Sequence, residues 1–257
     1  MFRPILTKYV LLGSRSNTAP FLYNYMKYKH LLFDLDRTLW DFETNSMQTL
    51  HEMFTQFQLA RLCNTDFKTF VDAYHVINKG LWDAYNNGTL DKDYLYVARF
   101  SLTLEHFGLT ETYALGKQLG DFYVFESPKK TALFDGCVEL LNYLKSKNYE
   151  MHIVTNGFRE VQYTKLQTSG IAQFFGKVFL SEEIGVQKPH KGIYEYILKS
   201  LQTTVNECLM IGDDFKVDIV GAKNMDIDQI FCNFTNACPD FEPTFEVKSL
   251  LEIKKIL

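Results

Sequence analysis

Short apolar runs alternate with longer stretches of helical periodicity from residue 30 onward. The runs are rich in Leu, Ile, Val, Phe and Met, as is typical of buried strands. They are His30–Phe33, Glu150–Thr155, Lys177–Leu180, Glu207–Ile211 and Gln229–Cys232. Helices are predicted between the later runs, over 135–147 with Asp135 as N-cap, and over 159–169, 192–201 and 216–225. Because strands that alternate with helices form βαβ units, the pattern predicts an α/β fold with a Rossmann-like, doubly wound, mostly parallel sheet covered on both faces.

More than a hundred residues without a strand signal separate the first two predicted strands. They contain amphipathic helical stretches at 47–57, 67–85, 94–107 and 112–125. A structureless loop of that length is implausible inside a compact domain. We therefore expect residues 46–129 to form a helical domain over one end of the sheet, while 30–45 and 130–257 form the core.

Residues 1–29 precede the first predicted strand, and we expect them to be a disordered extension. The first 33 residues hold five basic side chains and no acidic one, and their longest apolar stretch, Tyr9–Leu12, is too short for a secretory signal peptide. The basic composition also fits an organelle transit segment or an upstream extension ahead of a true start at Met26. These alternatives stay open.

Composition limits the classes of partner. With 46% hydrophobic and 23% charged residues the chain can bury a large core, and its net charge of −4 disfavours a nucleic-acid partner. No segment reaches the roughly 18 to 20 apolar residues of a membrane-spanning helix. Five cysteines without a C-x-x-C pair predict free thiols in a reducing compartment, here the cytoplasm. We expect a monomer or a weak homodimer.

Polar side chains follow four of the predicted strands. In chain order they are Asp34, Asp36, Thr155, Asn156, Lys188, Asp213 and Asp218. Ligands of open α/β sheets bind at the carboxyl ends of the strands. Carboxylates gathered there would repel one another unless a hard divalent cation such as Mg²⁺ neutralises them. Lys188 and the Thr155 hydroxyl add a positive charge and a donor, so the sequence predicts a site for a phosphoryl group and its metal.

The segments F-D-L-D-R-T-L, T-N-G-F, K-P and G-D-D-x-x-x-D, in this order, resemble the four motifs of the haloacid dehalogenase superfamily. The resemblance covers residues 31 to about 235, and the helical domain resembles that superfamily's type-one cap. Three further segments resemble the pyrimidine 5'-nucleotidase branch. They are Leu39–Phe42, Thr155–Phe158 with Glu160 and Gln162, and Arg99–Phe100. Arg37 and Asp214 depart from residues common in the family.

The resemblance implies a role for each motif residue. Asp34 would be the nucleophile that forms an aspartyl-phosphate, and Asp36 the acid and base for the leaving group and the hydrolytic water. Mg²⁺ would be held by Asp34, Asp213 and the Asp36 backbone carbonyl, with Asp218 behind them. Thr155, Asn156 and Lys188 would stabilise the transferring phosphoryl group. Trp40, Phe158 and Arg99 are candidates for substrate contact, although packing would explain them equally well.

These expectations combine into a Mg²⁺-dependent phosphomonoesterase that acts on a small-molecule phosphate ester, a nucleoside 5'-monophosphate. The second Asp of the first motif favours phosphoryl transfer over dehalogenation, because an alkoxide leaving group needs a proton. Two alternatives stay open. One is a phosphatase of phosphoglycolate or a sugar phosphate, or a phosphomutase. The other is an inactive relative that binds phosphometabolites or a protein.

Overall fold

Six parallel strands form one sheet in residues 27–257, the part of the chain that the computed structural model describes. The strands are β1 His30–Phe33, β2 Glu150–Thr155, β3 Phe175–Leu180, β4 Cys208–Gly212, β5 Asp228–Cys232 and β6 Phe245–Val247. Their order in the sheet is β3-β2-β1-β4-β5-β6. The chain therefore moves outward from β1 to β3 and returns to the other side of β1 with β4. The crevice between the carboxyl ends of β1 and β4 is the topological switch point, where α/β sheets bind ligands.

Helices cover both faces of this sheet, as a doubly wound fold requires. Leu31 and Phe33 pack with helix residue Leu144 on one face, whereas Leu32 packs with helix residues Ile193 and Ile197 on the other. Because β1 is buried on both sides, its residues Leu31–Phe33 are continuously apolar rather than alternating. The predicted fold class is confirmed. The short edge strand β6 was not predicted, since three residues are too few to show a period.

The α-helices of the described residues are α1 Phe42–Gln56, α2 Leu59–Leu62, α3 Phe67–Asn86, α4 Lys92–His106, α5 Tyr113–Glu126, α6 Cys137–Ser146, α7 Arg159–Thr168, α8 Ser181–Ile184, α9 Lys191–Leu201 and α10 Val220–Lys223. Short 3₁₀ helices lie at Ser127–Lys129, Ala172–Phe174, Val205–Glu207 and Leu250–Lys255, and a π-helical turn lies at Phe215–Ile219. Asp135 is not the N-cap of α6, because Gly136, with a φ of 78°, holds that position. The helix predicted over 216–225 begins as the π-helical turn.

Helices α1 to α5 lie between β1 and β2, and we call residues 42–126 the helical insert. An aspartate caps α1, α3 and α4, and each carboxylate accepts a backbone N–H three residues later: Asp41 from Thr44, Asp66 from Thr69 and Asp91 from Tyr94. The insert has its own apolar cluster, in which the rings of Tyr74 and Phe100 stack with centroids 5.1 Å apart.

Aromatic and ionic contacts attach the insert to the sheet side. Trp82 stacks on Phe158, with ring centroids 5.4 Å apart. Lys92 pairs with Glu160 at 2.9 Å and with Glu182 at 2.8 Å. Since Phe158 and Glu160 directly follow the end of β2, these contacts hold the insert above the carboxyl ends of the strands.

Two histidines are buried on neighbouring strands near their amino ends. His30 Nδ1 lies 3.2 Å from His152 Nε2, within hydrogen-bond distance. Burial lowers the pKa of both imidazoles, that of His152 to about 4, although Glu150 acts in the opposite direction. Both rings are therefore neutral at pH 7.

Most of the expected extension, residues 1–26, lies outside the described residues. Its last part contacts the core, since Tyr28 is buried and donates from its hydroxyl to Asp228 at 2.8 Å. The five cysteines are free thiols, as predicted, and only Cys238 among them is exposed. Within residues 27–257, no helix combines the length and the apolar composition that crossing a bilayer would require.

Candidate functional site

A cleft of about 500 Å³ lies between the carboxyl ends of the strands and the helical insert. One wall comes from residues that follow β1, β2 and β4, together with Lys188. The opposite wall comes from one face of α3. The residues that line the cleft include Asp34, Asp36, Thr155, Asn156, Lys188, Asp213 and Asp218 from the sheet side and His75, Asn78, Trp82 and Asn86 from α3. All seven residues predicted at the strand ends therefore line a single cleft.

Three buried or half-buried carboxylates converge at the centre of the sheet edge. Asp34, Asp213 and Asp218 each offer an oxygen within 4.8 Å of the others. The ladder between the two central strands brings them together, because Asp34 N donates to Ile211 O at 2.9 Å where both strands end. Burial raises the pKa of Asp34, raises that of Asp213 well above its usual value and raises that of Asp218 to about 7. Three carboxylates charged together at this depth would destabilise the fold unless a cation neutralises them.

Lys188 supplies one positive charge to this group. Its Nζ donates to Asp34 Oδ1, Asp218 Oδ1 and Val154 O, each at 2.7 Å, so all three ammonium protons have acceptors. Burial alone would lower the pKa of Lys188, but Asp218 and Asp34 outweigh burial and raise it. The lysine therefore stays charged beside the two carboxylates.

Asn156 fixes the loop that carries Lys188. Its Oδ1 accepts from Lys188 N and its Nδ2 donates to Lys188 O, both at 2.9 Å. The same Nδ2 lies 2.9 Å from Asn86 Oδ1 on α3, which joins the loop to the insert. The side-chain amide of Asn156 is thus used within the protein. It orients Lys188, and the expected contact of Asn156 with the phosphoryl group stays a prediction.

The G-D-D-x-x-x-D segment folds into a tight turn around Asp218. Thr38 Oγ1 donates to Asp213 Oδ1 at 3.0 Å, and Asp214 caps the turn by accepting from the backbone N–H groups of Lys216 and Val217. A methyl group at Gly212 would overlap the Asp218 carboxylate. Glycine is therefore needed at the end of β4 for steric reasons.

Asp36 and Thr155 are held by two residues of α7. Lys165 Nζ lies 2.5 Å from Asp36 Oδ1, and Gln162 Nε2 donates to Asp36 Oδ2 at 2.7 Å. Gln162 Nε2 also lies 3.0 Å from Thr155 Oγ1. Burial lowers the pKa of Lys165, with Asp36 acting in the opposite direction. No role is predicted for Lys165 from the sequence, and Gln162 enters there only as part of the resemblance.

Trp40, Phe158 and Arg99 do not line the cleft. Trp40 is fully buried and donates from Nε1 to Lys130 O at 3.2 Å. Phe158 is covered by Trp82 of the insert, and Arg99 is buried among the aromatic rings of the insert itself. Packing occupies the surfaces of these three side chains, and their contact with substrate stays a prediction.

The α3 wall was missed at the sequence level. His75, Asn78, Trp82 and Asn86 recur at helical spacing on one face, which resembles a solvated polar face in the sequence. Asn78 Oδ1 and His75 Nε2 are buried and have no hydrogen-bond partner among residues 27–257. Buried polar atoms are normally paired, so these two are available to a ligand in the cleft.

The donor set fits a magnesium ion. Mg²⁺ prefers carboxylate and carbonyl oxygens, and the three converging carboxylates share only one lysine charge. The Asp36 side chain is engaged by α7, as expected if this residue contributes its backbone carbonyl rather than its carboxylate.

Comparisons with known proteins agree with this geometry. Residues 28–226 match the family model of the haloacid dehalogenase-like hydrolases. The chain is 33% identical over 231 residues to the pyrimidine 5'-nucleotidase PynA of Streptococcus pneumoniae, covering 89% of this chain and 94% of the relative. It is 30% identical over 235 residues to the pyrimidine 5'-nucleotidase YjjG of Escherichia coli, covering 90% and 99%. The magnesium-bound crystal structure of the HAD-hydrolase YfnB from Bacillus subtilis superposes with a TM-score of 0.82 at 31% identity, over 90% of this chain and 99% of that one.

Proposed function

This chain belongs to the haloacid dehalogenase-like hydrolases and is a phosphatase, and from that premise we propose that it hydrolyses nucleoside 5'-monophosphates, pyrimidine nucleotides above all, with Mg²⁺. One observation carries the proposal. The charged lysine of the cleft joins two buried carboxylates at the switch point of the sheet, inside a cleft of about 500 Å³. That volume exceeds what a phosphate needs and lies in the range of pockets that hold small organic ligands. The two pyrimidine 5'-nucleotidase relatives support this choice of ligand.

Asp34 is the nucleophile of the proposed reaction. Lys188 holds Asp34 Oδ1 at 2.7 Å, which orients the carboxylate and leaves Oδ2 for attack on phosphorus. The P–O bond to the nucleoside breaks as the bond to Oδ2 forms, and the Asp36 carboxyl gives its proton to the leaving 5'-oxygen. Asp36 then takes a proton from the water that cleaves the aspartyl-phosphate and releases inorganic phosphate.

Donors on the sheet side of the cleft stabilise the negative charge of the phosphoryl group in this proposal. Lys188 provides a fixed positive charge, and the Thr155 hydroxyl provides a hydrogen-bond donor in the cleft. Asp34, Asp213 and the Asp36 carbonyl would hold Mg²⁺, with Asp218 behind them. The bound cation would neutralise charge on the phosphoryl oxygens.

In this proposal residues 46–129, most of which belong to the helical insert, act as a cap over a core of residues 30–45 and 130–257. The α3 wall would meet the nucleoside, since Asn78 Oδ1 and His75 Nε2 need partners and a pyrimidine edge offers both donors and acceptors. We place the reaction in the cytoplasm, a reducing compartment that suits five free cysteines.

Release of inorganic phosphate from a panel of monophosphates tests the proposal. We expect UMP, dUMP and dTMP to be hydrolysed faster than purine nucleotides, sugar phosphates or phosphoglycolate. Removal of Mg²⁺ with a chelator should abolish release, and Mg²⁺ should restore it. Asp34→Asn should retain less than about a thousandth of the activity. Hydrolysis of sugar phosphates or phosphoglycolate alone, or no release by the folded protein, would refute the nucleotidase assignment.

A further inference from the structure

Gln162 and Lys165 lie three residues apart on one face of α7, and both side chains donate to the carboxylate of Asp36. Each oxygen of the Asp36 carboxylate has its own donor, Lys165 Nζ at 2.5 Å on Oδ1 and Gln162 Nε2 at 2.7 Å on Oδ2. Gln162 is fully buried and the Lys165 side chain is almost so. The carboxylate is therefore held from two sides by a rigid helix.

The same glutamine determines what Thr155 can do. Thr155 Oγ1 lies 3.0 Å from Gly157 N and 3.0 Å from Gln162 Nε2, and both of these groups are donors. A hydroxyl has two acceptor positions and one hydrogen. With both acceptor positions filled, the Thr155 hydroxyl hydrogen has to be donated elsewhere, and Thr155 lines the cleft. Gln162 thus makes Thr155 a donor toward an anion in the cleft.

Trp40 covers the ammonium of Lys165. Lys165 Nζ lies 4.1 Å from the centroid of the buried indole, a cation–π distance. A buried ammonium needs such compensation, and Asp36 provides the rest. Trp40 therefore stabilises the ammonium of Lys165, and Lys165 in turn donates to Asp36.

Gly157 leaves the space that Gln162 occupies. A methyl group at this position would overlap Gln162 Nε2 and crowd the rest of the amide. Gly157 does not have a positive φ, so steric room is the reason for glycine here. The absence of a side chain at Gly157 thus lets the Gln162 amide of α7 pack directly against the T-N-G segment.

We infer that Gln162 and Lys165 are positioning residues, an inference that rests on the proposed function. Gln162 aligns the hydroxyl donor of Thr155 with the carboxylate of Asp36, and Lys165 fixes that carboxylate beside the leaving oxygen. Neither side chain reacts. Loss of Lys165 impairs proton transfer to the leaving group, whereas loss of Gln162 impairs both proton transfer and contact with the phosphoryl group.

Gln162→Met and Lys165→Met remove the donors with little change in length, and Gln167→Met on the exposed side of α7 is the matched control. Two substrates separate the roles. UMP has an alkoxide leaving group that needs a proton, and p-nitrophenyl phosphate has a phenolate that does not. We expect Lys165→Met to lower kcat for UMP about 100-fold and kcat for the aryl ester less than about 10-fold. Gln162→Met should lower kcat/KM for both substrates, about 10- to 100-fold.

A double-mutant cycle tests whether Gln162 acts through Thr155. The loss in kcat/KM caused by Thr155→Val should be smaller in the Gln162→Met background than in the wild type, because the hydroxyl is already misaligned. Additive losses, or equal losses for the two substrates in Lys165→Met, would overturn the inference.

Crystal structures of the variants decide the inference even if the wild type hydrolyses none of these esters, a result that would refute only the proposed function. In Gln162→Met, Thr155 Oγ1 and the Asp36 carboxylate should shift or become disordered, and calorimetric titration with inorganic phosphate and Mg²⁺ should show binding weakened at least about 10-fold. Unmoved side chains together with unchanged phosphate binding would contradict the positioning role.

Discussion

Lys188 Nζ lies 2.7 Å from Asp218 Oδ1, and each of the two side chains is only 1% exposed. Lys188 Nζ also donates to Asp34, the nucleophile of the proposed reaction, so the charge balance of this pair affects stability and, in that proposal, chemistry. An isolated buried charge is costly, and removing one partner of a buried pair typically removes several kcal/mol of stability.

We therefore expect Lys188→Met to lower the free energy of unfolding by about 3 to 5 kcal/mol and to abolish phosphate release. Urea titration followed by circular dichroism measures the first effect, and the phosphate assay the second. Lys191→Met is the control, since Lys191 forms an exposed pair with Glu195 at 3.4 Å that should be worth less than about 1 kcal/mol. Equal losses in the two variants would contradict the importance of the buried pair.

The site residues at the strand ends could be predicted because the apolar pattern of the strands and the residue types of the motifs coincide there. Asp34 and Asp213 each follow an apolar run, so their place at the sheet edge comes from the fold, and their residue types come from the motif. Lys188 follows the third predicted strand at a distance of several residues, and it was placed with them because that strand ends at the same edge of the sheet. Its contact with Asp218 depends on the loop that Asn156 fixes, which a local pattern cannot show.

Residues on helices were harder to predict. Gln162 and Lys165 occur in a polar helix, where such residues normally face solvent, and their burial results from the position of α7 against the first motif. Trp40 illustrates the opposite problem. An aromatic residue beside a motif fits both ligand stacking and packing, and the burial of Trp40 and its contacts with Lys130 and Lys165 favour packing.

Gly157→Ala should reveal the room that Gln162 needs. The added methyl group overlaps Gln162 Nε2, so the amide has to leave its position between Asp36 and Thr155. We expect a loss of about 1 to 3 kcal/mol in stability and an activity close to that of Gln162→Met.

The control for this substitution is Gly80→Ala. Gly80 lies in α3, and a Cβ there has no atom within 4 Å, so alanine should stabilise the helix by about 0.5 to 1 kcal/mol. Thermal unfolding of both variants measures the two effects. A tolerated Gly157→Ala with full activity would show that the position does not require glycine.

Asn78→Leu tests the α3 wall. If Asn78 Oδ1 accepts a hydrogen bond from the base, its loss should lower kcat/KM for UMP more than about 10-fold, while p-nitrophenyl phosphate, which has no base, is hydrolysed at nearly the wild-type rate. Val76→Ala, on the exposed side of the same helix, should change neither rate. Equal effects of Asn78→Leu on the two substrates would assign Asn78 to the structure of the insert instead.

The His30–His152 pair predicts how stability depends on pH. Burial lowers the pKa of His152 from 6.5 to about 4 and also lowers that of His30. Between pH 4 and pH 6.5 the unfolded chain binds more protons at these histidines than the folded chain does. The stability that the neutral imidazoles contribute is therefore complete above pH 6.5 and is lost progressively as the pH falls toward 4. The raised pKa values of the cleft carboxylates act with the opposite sign in the same range, so only a comparison between variants isolates the histidines.

The double variant His30→Leu/His152→Leu keeps the site apolar and has no imidazole to titrate at these two positions. Its free energy of unfolding should fall between pH 7 and pH 5 by about 1 to 2 kcal/mol less than that of the wild type does. This figure is reduced because solvent reaches Glu150 beside the pair and screens its charge. Urea titrations at the two pH values measure this difference. Parallel pH profiles of the double variant and the wild type would show that the two imidazoles titrate alike in the folded and unfolded chains, and burial would then not be what keeps them neutral.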